Sequence, residues 1–260
     1  MIQEEFANRA KEILQEDDEV IGLAVGGSWL TKDVDEYSDL DLILVSKSKI
    51  SSDKKKMFTY AKRLGNLLSA FTGEHVGEPR LLICLYDNPF LHVDIKFVTL
   101  KDINPRVETP YLLFDKDGQV RNELDKSESK FPLPNYQWIE DRFWTWVHYA
   151  LLKIGRGEYL EALDFFGFLR MVVIGPLLHI KNGNLPRAMR RVESELTPED
   201  FADLKKTIPD YDRQSLLNSL RNSVGLYRSL RENLFGEEIE MRFQAEERVM
   251  KYFETIEKSK

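Results

Sequence analysis

The chain has one cysteine, Cys84, in 260 residues. A disulfide framework and a cysteine-rich zinc site are therefore both excluded. Its four histidines, His75, His92, His148 and His179, are scattered without HExxH spacing, so the helical zinc-hydrolase pattern is missing too. Excess positive charge is also absent. Lys and Arg number 37 against 44 Asp and Glu, a formal charge of −7. A general nucleic-acid binder needs a cationic surplus to neutralise a phosphate backbone, so nucleic acid is an unexpected partner. A nucleotide substrate is not excluded, since a triphosphate needs only a few local cations. No window approaches the roughly 20 apolar residues of a membrane span. The start, Met1-Ile2-Gln3-Glu4-Glu5, lacks the basic and apolar regions of a secretory signal. The expected location is the cytoplasm, with no membrane partner. What remains is an ordinary globular composition, 42% hydrophobic and 31% charged, sufficient for one large domain or two modest ones.

The first hundred residues alternate helical and strand patterns. Phe6, Ala10, Ile13 and Leu14 form a helical apolar stripe. Residues 20–25 and 40–45 are short apolar runs bounded by turn residues. Residues 51–71 place Met57, Phe58, Ala61, Leu64, Leu67, Leu68 and Phe71 at helical spacing after a wet Lys54-Lys55-Lys56 turn. Residues 80–86 and 91–100 are two further strand-like runs joined by Asp87-Asn88-Pro89. The pattern is a mixed sheet with helices on one face. Between residues 101 and 134 it breaks at Pro105, Pro110, Pro132 and Pro134, with an extra strand at 111–114. From residue 135 the chain reads helical, with a kink expected near Gly175-Pro176 and helices over about 197–207, 213–234 and 237–257. The expected class is α+β, divided into a mixed-sheet domain (1–104), a connecting segment with an extra strand (105–134) and an all-helical bundle (135–260).

The chemistry concentrates near the start of the sheet. Gly26-Gly27-Ser28 follows an apolar run, where glycines permit close backbone approach to a phosphate and the serine adds a hydroxyl. Asp39-Leu40-Asp41 opens the next run. Alternation along a strand points Asp39 and Asp41 the same way, and two like charges so placed call for a cation held by hard oxygen ligands. Asp94, in His92-Val93-Asp94-Ile95, is an acid inside an otherwise apolar strand. On a neighbouring strand it would reach the same cluster.

Together Val25-Gly26-Gly27-Ser28, Asp39-Leu40-Asp41-Leu42 and Asp94 resemble the signature of the DNA polymerase β-type nucleotidyltransferase superfamily. The architecture is similar to the bacterial aminoglycoside and lincosamide nucleotidyltransferases. The resemblance is closer over residues 1–100 than over the helical region. It implies Mg²⁺ bound by Asp39, Asp41 and Asp94, and ATP or another nucleoside triphosphate as co-substrate, held at Gly26, Gly27 and Ser28. It further implies Asp94 as metal ligand, general base or both. The implied reaction moves AMP or another nucleoside monophosphate to the hydroxyl of a small molecule, an antibiotic in the best-known cases, releasing pyrophosphate. A homodimer is in keeping with the resemblance, because a neighbouring subunit shapes the cleft in several similar enzymes. A protein or tRNA acceptor, and a non-catalytic nucleotide-binding module, are the competing functions.

Each site residue also has a plainer reading. Asp39 and Asp41 could be solvated acids at a strand edge, Asp94 a surface partner of Lys96, and Gly26-Gly27 a simple tight turn. Glu78 reads as a surface-loop residue, with general base as its alternative. Arg142, Tyr149, Lys153 and Arg156 approximate one helix stripe, with Lys153 and Arg156 as candidate triphosphate contacts or members of a solvated, salt-bridged face. Arg170, in an apolar stretch, reads as paired with an acid such as Asp164 or in contact with ligand. Trp138, Trp144 and Trp146 read as core or dimer-interface residues.

Overall fold

Short β-branched and leucine-rich runs form the strands β1 (Val20–Val25), β2 (Leu40–Ser46), β3 (Asn66–Gly73), β4 (Glu78–Asp87), β5 (Leu91–Thr99) and β6 (Tyr111–Asp115). They assemble into one six-stranded sheet, ordered β3-β4-β5-β2-β1-β6. The computed structural model describes residues 1–104 and 106–259; Pro105, one of the expected breakpoints, and Lys260 lie outside the described residues. The chain divides into two compact units, Met1–Phe131 and Pro132–Lys260. The segment 105–134, expected to connect two domains, thus lies mostly in the first unit, and its extra strand joins the sheet as β6 beside β1.

All neighbouring strands run antiparallel except β2 and β5, which are parallel. On one face, α1 (Ile2–Gln15) and α3 (Lys54–Leu64) bury Phe6, Ala10, Leu14, Met57, Ala61 and Leu64 against Leu40, Leu42, Leu44, Val93, Ile95 and Phe97. A short α2 (Ser28–Thr31) follows β1. Within the first hundred residues α1 and α3 share one face, and the other is covered by a helix from beyond that span. α4 (Gln119–Leu124) packs Val120 and Leu124 on the other face, against Ile21, Val45 and Val98. Gly22 makes room for it, since a Cβ there would lie 2.7 Å from the Val120 Cγ2.

The helix expected over 51–71 stops at Leu64, and residues 66–73 form the edge strand β3. Leu67, Leu68 and Phe71 continue the helical spacing of Met57, Ala61 and Leu64, so periodicity alone could not separate the two elements. Antiparallel pairing of β3 with β4 decides the matter, and Gly65 separates helix from strand. The lysines at 54–56 are exposed as expected, and the Asp53 side chain caps α3 by accepting from the Lys55 and Lys56 amides.

The second unit contains α5 (Tyr136–Arg156), α6 (Tyr159–Leu169), α7 (Gly175–Lys181), α8 (Val192–Glu195), α9 (Pro198–Lys205), α10 (Arg213–Leu234) and α11 (Phe243–Lys258). The break expected at Gly175-Pro176 falls one turn earlier, as a wide π turn over Arg170–Ile174. The Arg170 guanidinium, expected to meet an acid or a ligand, donates instead to the Thr207 carbonyl at 2.8 Å. Counting apolar residues underestimated one stretch. Tyr159–Lys181 is 23 residues long and apolar enough to cross a membrane by length and composition. Here its buried face, with Ala162, Phe166, Val173, Ile174, Leu177 and Leu178, forms part of the helical core. α11 starts at Phe243 rather than at Glu237.

Glu140, fully buried on α5, ties this unit together. Its carboxylate accepts from Trp144 Nε1 at 3.3 Å, Tyr227 Oη, Arg231 Nη1 at 3.4 Å and the Arg242 amide at 2.9 Å. Arg231 also reaches Glu246 at 2.9 Å. Phe143 stacks on Tyr227 beside this group, with ring centroids 3.6 Å apart. Removing one member of a buried charge network leaves the others desolvated without compensation. Glu140→Ala should therefore destabilise the helical unit by about 3–5 kcal/mol. Urea denaturation followed by tryptophan fluorescence would test this, an unchanged midpoint being the contrary result.

Candidate active site

The site is built at one end of the sheet by the β1 and β2 strands and their neighbour β5. The Gly26 amide continues the β1–β2 ladder by donating to the Asp41 carbonyl at 3.0 Å. Gly27 then turns the chain with φ 62° and ψ −138°, and α2 begins at Ser28. Only glycine suits this turn, for two reasons. Positive φ is costly for other residues, and a Cβ on Gly27 would lie 2.1 Å from Asp41 Oδ2. The turn and the carboxylate are therefore in direct packing contact.

Asp41 and Asp94 occupy the same register of the parallel β2–β5 pair. Leu40, Leu42, Val93 and Ile95 on either side of them face the α1–α3 core. Alternation therefore sends both carboxylates to the opposite face. The apolar cluster under α4 includes Ile43, Val45 and Val98 but stops there, so the two acids lie one strand step beyond its edge. The Asp94 carboxylate is mostly buried and meets His92 Nε2 at 2.9 Å. Burial pushes its carboxyl above the usual carboxylate range; the nearby His92 opposes this and the Asp39 charge adds to it. Asp39 is thus close enough to be felt electrostatically, one residue before β2. Among the described residues no group of three or more His, Cys, Asp or Glu side chains is gathered as a ready-made metal cluster. What fits a hard divalent cation is the donor chemistry: two carboxylates in register, a third acid beside them.

Two residues escaped the sequence reading. Gln3, almost fully buried on α1, donates from Nε2 to the Asp35 carbonyl at 2.9 Å and the Ser38 carbonyl at 2.8 Å. It thereby fixes the loop that delivers Asp39. Its signal was available, as a polar residue three positions before Phe6 on the apolar face of α1. Glu108 is the other. Its Oε1 accepts from the Gly27 amide at 2.7 Å. No motif marks it, because it lies 81 residues away in an irregular segment.

The plainer partner for Asp94 is not used. Lys96 instead meets Glu78 at 2.9 Å, and Glu78 also grips Arg80 through Nε and Nη2, each at 2.6 Å. Glu78 opens β4 rather than a surface loop, and its two cations make it a poor general base. On the helical unit, Lys153 is held by Glu158 at 2.8 Å and Glu161 at 2.9 Å, and these carboxylates raise its pKa. Arg156 ends α5, exposed. Arg142 covers the Trp138 ring at 4.4 Å, and Trp138 in turn meets Trp146 edge-on, while Trp144 is buried.

A glycine-serine turn and in-register carboxylates on this sheet order are joined by a sequence match. Residues 7–107 match the nucleotidyltransferase domain family. This part of the chain is thus similar to a nucleotidyltransferase domain, and Gly26, Asp41 and Asp94 all lie inside the matched span. No curated protein matches the chain. Among solved structures, similarity extends to an aminoglycoside 6-adenyltransferase from Bacillus subtilis, at 17% identity, 99% coverage of both chains and a TM-score of 0.42. A nucleotidyltransferase-like protein from Exiguobacterium sibiricum is 12% identical over 88% of this chain and 75% of that one, with a TM-score of 0.34. A spectinomycin adenyltransferase from Enterococcus faecialis, solved with ATP and spectinomycin, is 12% identical over 98% and 99%, with a TM-score of 0.32. These scores mark distant likeness and bear no weight on activity.

Two outcomes follow from this geometry. Gly27→Ala combines strained φ with a collision against Asp41, whereas Gly118, at φ 66°, has open space within 4 Å of where a Cβ would stand. Gly27→Ala should cost more than Gly118→Ala, the latter about 1 kcal/mol, in paired denaturation curves; equal losses would contradict the collision. Arg80 first, with Lys96 assisting, holds Glu78 down to about 2 from 4.5. A depressed folded-state pKa contributes stability above the unfolded value and loses it on acidification. The stability gap between the native chain and Glu78→Gln should be full at neutral pH and shrink as pH falls from 4.5 towards about 2. A gap independent of pH would oppose the assignment.

Proposed function

We propose that the protein transfers a nucleoside monophosphate, most simply AMP, from a nucleoside triphosphate to a hydroxyl of a small molecule, with release of pyrophosphate. The observation that carries this is the placement of Asp41 and Asp94 in one register beside the Gly26-Gly27 turn, within the span that matches the nucleotidyltransferase domain family. Gly27 and Ser28 would hold the terminal phosphates, the glycine by its amide and the serine by amide and hydroxyl. Asp41 and Asp94, joined by Asp39, would hold Mg²⁺, which when bound supplies positive charge against the charge growing on the phosphoryl oxygens. Asp94 is suited to a second task. Its burial favours the protonated form, so it can take the proton of the acceptor hydroxyl as that oxygen attacks the α-phosphorus. The phosphorus–oxygen bond to the leaving pyrophosphate breaks as the new ester bond forms, and the attacking oxygen's proton passes to the carboxylate. Gln3 serves by fixing the approach to Asp39.

The acceptor class to test first is the hydroxylated antibiotics. The chain's net charge of −7 suits a cationic acceptor such as an aminoglycoside. The deciding experiment incubates the protein with Mg²⁺, labelled nucleoside triphosphates and a panel of aminoglycosides, spectinomycin and lincosamides, reading labelled product and pyrophosphate. Asp41→Asn and Asp39→Asn should each lower turnover on the order of a hundredfold or more while leaving the fold intact by circular dichroism. Turnover unchanged in Asp41→Asn would remove the proposed role of that carboxylate.

A further inference from the structure

The amide proposed to receive a phosphate already has an anionic acceptor within the chain. Glu108 Oε1 takes the Gly27 N–H at 2.7 Å, and a Cβ on the neighbouring Gly26 would lie 2.7 Å from that same oxygen. Glu108 therefore lies directly over the Gly26-Gly27 dipeptide, with the Asp41 carboxylate also packed against Gly27. Its segment is anchored at both ends. On the early side, Arg106 Nη2 donates to the Leu124 carbonyl at 2.9 Å, Arg106 Nη1 to Ser127 Oγ at 3.0 Å, and the Lys130 amide to the Arg106 carbonyl at 2.9 Å. On the late side, Pro110 is buried and Tyr111 pairs with Val25, the residue before the glycines. Between these anchors Val107 and Thr109 are exposed, Thr109 Oγ1 accepts from Arg106 Nε at 3.4 Å, and the Glu108 side chain is tied down by its bond to the Gly27 amide.

One N–H serves one strong acceptor at a time, and a carboxylate next to Asp41 also repels any incoming phosphate. We propose that Glu108 is a built-in competitor for the triphosphate tail, so that nucleotide loads only as the 106–110 strap swings Glu108 off the Gly27 amide. This inference rests on the phosphate role assigned above to Gly27. It makes the loaded state a fraction of the ensemble whose size Glu108 sets, which lowers apparent nucleotide affinity by that fraction.

The test is titration calorimetry on the full chain with a non-hydrolysable ATP analogue plus Mg²⁺, with inorganic tripolyphosphate and with adenosine. Glu108→Gln should bind the analogue and tripolyphosphate about tenfold more tightly than the native chain, with adenosine unchanged. Glu12→Gln removes the same charge from an exposed residue of α1, outside the strap and the loop before Asp39, and should leave all three affinities unaltered. Hydrogen exchange supplies a second reading without mutation: exchange at 106–110 should rise when the native chain binds the analogue. Equal or weaker phosphate binding in Glu108→Gln, a matching gain in Glu12→Gln, or strap exchange that falls on binding would each overturn the competitor role. A native chain and a Glu108→Gln variant that both ignore tripolyphosphate and the analogue would instead remove the phosphate role of Gly27, and this inference with it.

Discussion

The parallel pairing of β2 with β5 is the constraint on which the site depends. Parallel strands hold residues of equal register side by side with the same orientation, so Asp41 and Asp94 share a face because Leu42 and Ile95 share the opposite one. The hydrophobic core under α1 and α3 thus sets the facing of these two acids indirectly. A slip of β2 by one residue would put Asp41 into the core and take Leu40, Leu42 and Leu44 out of it, at a cost far beyond what any surface contact could offset. Core packing fixes the register, and the register fixes the distance between the acids.

Electrostatics runs the other way. Asp39, Asp41, Asp94 and Glu108 converge on a few residues of backbone, and burial of Asp94 raises the cost of its charge. A fold optimised only for stability would not gather them. Such concentrations of like charge persist where a bound cation or a proton transfer uses them. Nearby on the sheet, Glu78 meets both Arg80 and Lys96, with Lys96 on the same face as Asp94.

The helical unit shows the contrasting use of charge. Glu140 is fully buried, yet each of its interactions is a hydrogen bond to a donor held by the core. Its carboxylate joins α5 to α10 and to the segment entering α11. There the charge is matched by donors within the unit, while in the sheet domain burial raises the Asp94 pKa.

Much of this was legible in the chain. Gly26-Gly27-Ser28, the Asp39-Leu40-Asp41 repeat and Asp94 stand in local patterns, and strand alternation is a local property. The two-part organisation also follows from where strand patterns give way to helical ones. Local pattern failed where two elements share a spacing, as in residues 66–73, whose apolar positions continue the rhythm of α3 until antiparallel pairing with β4 turns them into a strand. It failed again for α4, because a six-residue helix against the second sheet face has too short a period to read. The residue types and their facing within each strand were thus determined by the sequence itself, since alternation follows from backbone geometry. Tertiary structure alone decided that Asp41 lies opposite Asp94, that Gln3 braces the approach to Asp39, and that Glu108 rests on the Gly27 amide. Each of these joins residues 32 to 81 positions apart, where only packing of the whole sheet brings them together.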